Sequence, residues 1–384
     1  MLMKNYSRVN LAFKKGFGSI LIDETRRDFI DFSSGIGVCS LGHGHKKLAK
    51  TISKQASNLL HTSNIYQITP QTKLAEKICK LLKSPYYLFF ANSGAEANEC
   101  AIKLAKKHGF KKGIKEVEIF SLSNSFHGRT MATLKLTGQD KFHPQDFAPY
   151  PQGFRFFDSI DEIIANLNDN TAAVFIELVQ GEGGINPLNK KKVQNLAKIL
   201  AQKGILLVTD EVQCGVYRTG EFVTSQIYDI EPDIITFAKG LGGGVAIGAC
   251  ASKQDIFEAG DHGSTFGGNF LASSAGICVL DELQKLKNSG KLDKTIANFT
   301  KKLDKIAKKF PNLIEKRVGL GLMQGLVLKD PVNLNKIFEN AIKFRVLILK
   351  SGKATLRFLP PLNISQKEIN LGFKRLEKAF LEIK

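Results

Sequence analysis

Two residues able to do covalent and electrostatic chemistry together stand at the ends of apolar runs. Asp210 closes the run Ile205 to Thr209, and Lys239 lies just beyond the run Ile234 to Phe237, 29 residues further on. If those runs are neighbouring strands, an acid and an amine reach one edge of a sheet, the edge where open α/β folds hold their ligands. An amine so placed can form a Schiff base with an aldehyde, while a carboxylate can keep a ring nitrogen protonated so that the ring accepts electrons. An ordinary buried salt bridge is the alternative. The glycines that follow Lys239, at 240 and 242 to 244, make it the poorer reading.

Four further clusters sit where candidate strands end. Ala91 to Glu99 lies between an apolar run and a helix pattern, so that Ser93, Gly94 and Ala95 outline an anion site of backbone N–H groups at a helix N-terminus. Simple N-capping by Ser93 would produce the same pattern. Ser125 to Thr130 offers an aromatic ring, Phe126, that could cover a planar ligand, and a guanidinium, Arg129, that could take a carboxylate in bidentate fashion. A core phenylalanine and a surface arginine are the plainer alternatives. Glu177 to Gly184 and His262 to Asn269 are glycine-rich and ambiguous alone; in the second, Thr265 offers a hydroxyl to a phosphate.

The elements that must position these residues alternate in the middle of the chain. Apolar runs at 86–90, 117–122, 172–178, 205–209 and 234–237 read as strands separated by helical patterns, which predicts a largely parallel βαβ sheet. The helix after Ser93 should turn Ala97, Ala101, Leu104 and Ala105 inward. The ends differ. Residues 1–45 hold a Gly16-Phe17-Gly18 turn and short runs at 20–22 and 29–32, while 276–384 mix Lys-rich helices with a strand at 322–328. Both stretches are expected to form one small α+β domain beside a large domain spanning 46–275.

Composition excludes several classes. The net charge of +19 invites a nucleic-acid reading, but the basic residues come as scattered doublets such as Lys106-Lys107 and Lys308-Lys309, with no basic arm or aromatic platform. A positive field could still attract anionic substrates. Six cysteines without a CxxC pair argue against zinc or a disulfide framework, so no metal is expected, and Cys214 needs no nucleophilic role. No apolar segment is long enough for a bilayer and none follows the N-terminal charges, which makes the cytoplasm the expected compartment, with no membrane partner.

Taken in order, the clusters resemble the class III, fold-type I aminotransferases, which use pyridoxal 5′-phosphate (PLP), and most of all their acetylornithine aminotransferase branch. The likeness runs from Gly16-Phe17-Gly18 through Leu41-Gly42-His43 to the segment 356–362. It implies a large domain with a mostly parallel central sheet. It also implies that Lys239 carries the cofactor, Asp210 partners the pyridine nitrogen, Gln213 meets the ring hydroxyl and Phe126 stacks on the ring. Ser93, Gly94 and Ala95, with Thr265, would bind the phosphate, and His127 and Val212 complete the cofactor set. On the substrate side the resemblance implies Arg129 for the distal carboxylate of the amine donor and Arg357 for the carboxylate beside the reacting carbon. Glu182 would neutralise Arg357 in turn, and Ile36, Tyr6 and Ser264 would line the rest.

The implied reaction moves the terminal amino group of N-acetylornithine to 2-oxoglutarate in a homodimer with a composite site, the Thr265 segment reaching the other subunit. Ile36, where ornithine-specific relatives tend to carry tyrosine, favours an acylated amine. Other ω-amine donors (succinyldiaminopimelate, ornithine, 4-aminobutyrate) and a catalytically inactive binding module remain alternatives. Lys46, Leu178, Ala246 and Phe270 depart from the family's usual Pro, and Tyr217 from its usual Gly.

Overall fold

The computed structural model describes residues 1–383. Its centre is a seven-stranded sheet in the spatial order 87–91, 248–252, 234–237, 206–210, 171–176, 118–122 and 154–157. Every pair from 234–237 outward to 154–157 is parallel, as the alternating pattern predicts. Gly248–Ser252 alone runs antiparallel to both neighbours. The sequence reading missed it because Gly-Ala-Cys-Ala-Ser carries no β-branched or aromatic residue, although all five residues are buried. The edge strand Phe154–Phe157 was missed too.

The helix Gly94–Lys111 shows how closely the sequence dictates the packing. Ser93 caps it by accepting the Glu96 N–H at 3.2 Å, and the Glu96 carboxylate accepts from the Asn92 N–H at 2.9 Å. Its inward face, Ala97, Ala101, Leu104 and Ala105, is buried as expected. Small side chains there let the helix lie close on the sheet, and Gly248 touches its cap so tightly that an added Cβ would stand 2.2 Å from the Ser93 carbonyl oxygen.

Both chain ends meet away from this sheet. The strands Phe13–Phe17, Ile20–Asp23 and Asp28–Asp31 are joined by Val346–Leu347, which pairs parallel to Asp28–Asp31. The expected turn falls at Gly18, after Gly16 and Phe17 have completed their strand. A second sheet combines Ile314–Leu320, Met323–Leu328, Thr355–Phe358 and Leu349–Ser351. Phe32 from the N-terminal stretch packs edge-on against Phe299 at 5.1 Å and lies 5.4 Å from Phe373, so apolar burial ties the two ends into one cluster.

The departures from family pattern acquire local meanings. Lys46 and Phe270 are the first residues of the helices Lys46–Asn58 and Phe270–Asn288. Pro is tolerated there because that N–H has no helical partner, and the His45 and Asn269 side chains cap these helices instead. Tyr217 has φ +65°, a left-handed backbone that suits glycine, and Val216 beside it has φ +54°. Each carries strain of about 1 kcal/mol or more. The Tyr217 ring offsets this by packing 5.7 Å from Phe222 in the core.

Candidate active site

Strands 206–210 and 234–237 are adjacent and in register, Asp210 opposite Thr236, so Asp210 and Lys239 emerge at the same carboxyl edge. Between them opens a cavity of about 650 Å³, lined by both residues together with Ser93, Gly94, Ala95 and Phe126. His127, Val212, Gln213, Arg129 and Tyr6 also face it. Five of the expected residues do not: Glu182 and Arg357, which pair with each other and reach the wall through Gln213, and three more. Thr265 is exposed, Ile36 is 42% exposed with φ +63°, and Ser264 stands one residue behind the wall, its hydroxyl accepting from Asn92 Nδ2 at 3.2 Å.

Lys239 has φ +42°, a strained left-handed backbone, and lines the cavity. Burial pushes its amine below the usual lysine range, against the upward pull of Glu182 and Asp210; Arg357 pushes the same way as burial. Asp210 is buried, with Oδ2 accepting from Asn98 Nδ2 and meeting His127 Nδ1, both at 2.8 Å. Oδ1 accepts from the Val212 N–H at 3.0 Å. The carboxylate is therefore held in one orientation by three groups. Gly94 is required by contact, since a Cβ there would lie 2.7 Å from Val212 Cγ1.

The second layer of charge is an ion pair between a buried arginine and a half-buried glutamate. Arg357 is 3% exposed, and its guanidinium donates to Glu182 Oε1 at 2.5 Å, to Gln213 Oε1 at 3.2 Å and to the Gly181 carbonyl at 3.3 Å. Its Nε has no partner among the described residues. Burial alone would raise the Glu182 carboxyl, but the Arg357 charge and hydrogen bond outweigh it and hold it below the usual range. At the cavity mouth Arg129 is exposed and lies over the Phe142 ring at 4.4 Å and the Phe126 ring at 5.5 Å.

Two residues of the wall were quoted in the sequence without a role. Asn98 donates to both Asp210 and the His127 carbonyl, and a polar residue beside the otherwise small inward face of its helix was the available signal. Glu177 is buried beside the cavity and accepts from backbone N–H groups of Phe126 and Gly181. No side-chain pattern announces such a contact. Among the described residues there is no cluster of side chains able to hold a metal ion.

A parallel α/β sheet that delivers a strained lysine opposite a fixed aspartate, beneath a helix N-terminus, defines the architecture of a PLP-type transferase. The class-III aminotransferase family matches residues 1–380, and the chain belongs to that family. It is 49% identical to the acetylornithine aminotransferase of Wolinella succinogenes over 98% of this chain and 97% of that protein. The Aquifex aeolicus protein of the same name is 42% identical, over 98% and 99%. Among solved structures, N-acetylornithine aminotransferase from Stenotrophomonas maltophilia superposes with TM-score 0.85 at 32% identity, covering 98% of this chain and 97% of its own. An ornithine aminotransferase from Toxoplasma gondii, with PLP at partial occupancy in its active site, superposes with TM-score 0.92 at 27% identity, covering 100% and 92%.

Proposed function

We propose that this chain transfers the terminal amino group of N-acetylornithine to 2-oxoglutarate, using PLP held on Lys239, and that it releases N-acetylglutamate semialdehyde and glutamate. The names of its relatives support the donor. The observation that carries the reading is the Arg357–Glu182 pair, its arginine buried, near Lys239. A site that handles only one kind of substrate has no use for a guanidinium that can be either neutralised or freed.

The residues fit the cofactor. Gly94 leaves the helix N-terminus open toward the cavity for a phosphate, Phe126 lies on the wall for a ring face, and Asp210 is fixed by three partners. Bound there, PLP supplies an aldehyde that joins amines and a protonated ring that accepts electrons. Lys239, with its amine made less basic by burial, is free to take a proton from the donor carbon and return it one position away. Asp210, held in one orientation by Asn98, His127 and the Val212 N–H, would serve as the partner of the ring nitrogen. Arg129 binds the distal carboxylate of the donor, while Glu182 covers Arg357 against the donor's methylenes. When 2-oxoglutarate follows, Glu182 turns aside and Arg357 takes the carboxylate next to the reacting carbon.

Thr265, Ser264 and Ile36 belong in this reading to a neighbouring subunit's cavity, which makes the enzyme a homodimer with composite sites. In this reading 46–275 is the cofactor-bearing domain and 1–45 with 276 onward the small one, the helix Phe270–Asn288 running across that boundary. No helix among the described residues is long and apolar enough to cross a membrane, which is compatible with a cytoplasmic enzyme. Initial rates with a panel of amine donors at fixed 2-oxoglutarate test the assignment. Acetylornithine should give the highest kcat/KM, and a clear preference for free ornithine, succinyldiaminopimelate or 4-aminobutyrate would overturn it.

A further inference from the structure

Glu177 is the one buried carboxylate at the cavity that the reaction outlined above leaves without a task. It stands just past the strand Thr171–Ile176, and both of its oxygens are engaged. Oε2 accepts from the Phe126 N–H at 2.9 Å and Oε1 from the Gly181 N–H at 3.2 Å. Phe126 belongs to the loop after the neighbouring strand Glu118–Leu122, and Gly181 begins the loop that carries Glu182. One side chain therefore bridges two loops on separate strands.

The far side of Gly181 leads to Arg357. The Gly181 carbonyl accepts from the Arg357 guanidinium at 3.3 Å and from Ser351 Oγ at 2.6 Å, and Ser351 Oγ in turn accepts from the Gly184 N–H at 2.9 Å. Gly181 has no room to shift sideways, since a Cβ there would meet Gln213 Oε1 at 2.4 Å. A continuous path results, from the Phe126 amide through Glu177 and the Gly181 peptide to Arg357. The path holds backbone on both sides of Glu182 and leaves only the Glu182 side chain to move.

We propose that Glu177 is a positioning residue for the acceptor half of the reaction: it locks the Glu182 loop to the Phe126 loop, so that Arg357 keeps its place when Glu182 leaves it. The proposal rests on the role given to Arg357 above. A carboxylate is an expensive choice for this wall. Burial lifts Glu177 to about 7, His127 draws it down and Asp210 pushes it up, while Lys239 is the other charged group nearby. A glutamine of the same shape would avoid that cost but offers one acceptor oxygen. It could serve Phe126 or Gly181, not both.

The test compares Glu177→Gln and Glu177→Asp with the parent holoenzyme. Aspartate keeps the charge and is one methylene too short to span both amides. Hydrogen exchange resolved to peptides covers residues 123–129 and 179–185, with 206–210 as reference, and single-turnover absorbance follows the donor and acceptor halves separately. One or both loops should exchange about 5-fold faster with the reference unchanged, the scale of one lost hydrogen bond. The apparent Kd for 2-oxoglutarate should rise by a similar factor, while the donor half stays within about twofold. Unchanged exchange in both loops, or equal losses in the two halves, would overturn the proposal in whichever variant folds. Arg357→Ala separates the two layers of inference. If it leaves the acceptor half intact, the role of Arg357 fails; if it impairs that half and neither Glu177 variant does, only Glu177 fails.

Discussion

Replacing Glu182 by alanine should push the two half-reactions in opposite directions. Arg357 would lose its shortest contact and keep only the Gln213 and Gly181 oxygens, at 3.2 and 3.3 Å. Removing one member of a fully buried ion pair costs about 3–5 kcal/mol. The Glu182 side chain is 28% exposed, so water screens part of that loss and about 1–3 kcal/mol remains. In the donor half the bared guanidinium would face apolar methylenes, and single-turnover efficiency with acetylornithine should fall by about 10- to 100-fold. In the acceptor half 2-oxoglutarate would no longer need to displace a carboxylate, and its apparent Kd should drop by about tenfold. Stopped-flow absorbance of the bound cofactor, mixed with one substrate at a time, reads both numbers. Parallel losses in both halves would refute the exchange of partners at Arg357, and tighter donor binding would refute it more directly.

Lys239→Ala should abolish the visible absorbance of the holoenzyme and lower turnover by orders of magnitude; retained turnover would remove the lysine from the chemistry. His43, whose side chain is 19% exposed, is raised to about 9 by its hydrogen bond to Asp31, with Cys39 adding to it. Its folded value lies above its unfolded one, so the stabilisation is fully present below about pH 6.5 and is lost as pH rises through about 9. Urea unfolding at pH 6 and pH 10 should therefore show about 2 kcal/mol more loss for the parent than for His43→Gln; parallel profiles would contradict it. Gly94→Ala should force Val212 aside, cost about 1–3 kcal/mol of stability and speed cofactor loss on dialysis; retention equal to the parent would show that the loop has slack.

The sheet and its chemical edge were legible because most of the strands are short, mainly apolar runs, each followed by an abrupt polar or glycine-rich change. Asp210 and Lys239 needed only that punctuation to be placed opposite one another. Gly248–Ser252 was hidden because its small residues serve close packing, so it lacks the bulky side chains by which a strand is recognised. Glu177 was illegible for another reason. Its partners are main-chain amides, which every sequence possesses and no sequence marks. Thr265, Ser264 and Ile36 lie outside the lining of their own chain's cavity, and residue types alone did not mark this; only the family resemblance pointed the Thr265 segment elsewhere.

The meeting of the two chain ends has a consequence for biosynthesis. A growing chain emerges N-terminus first, yet Asp28–Asp31 pairs with Val346–Leu347, and Phe32 packs against residues from 299 onward. Through most of translation Ile30 and Phe32, both buried in the finished protein, must wait for partners that the ribosome has not yet made. A chain released before residue 346 is synthesised would leave those side chains and an open strand edge exposed, and so would be drawn into aggregates or proteolysis. Late closure of the termini thus acts as a check on completeness, since only a full-length chain can bury its own beginning.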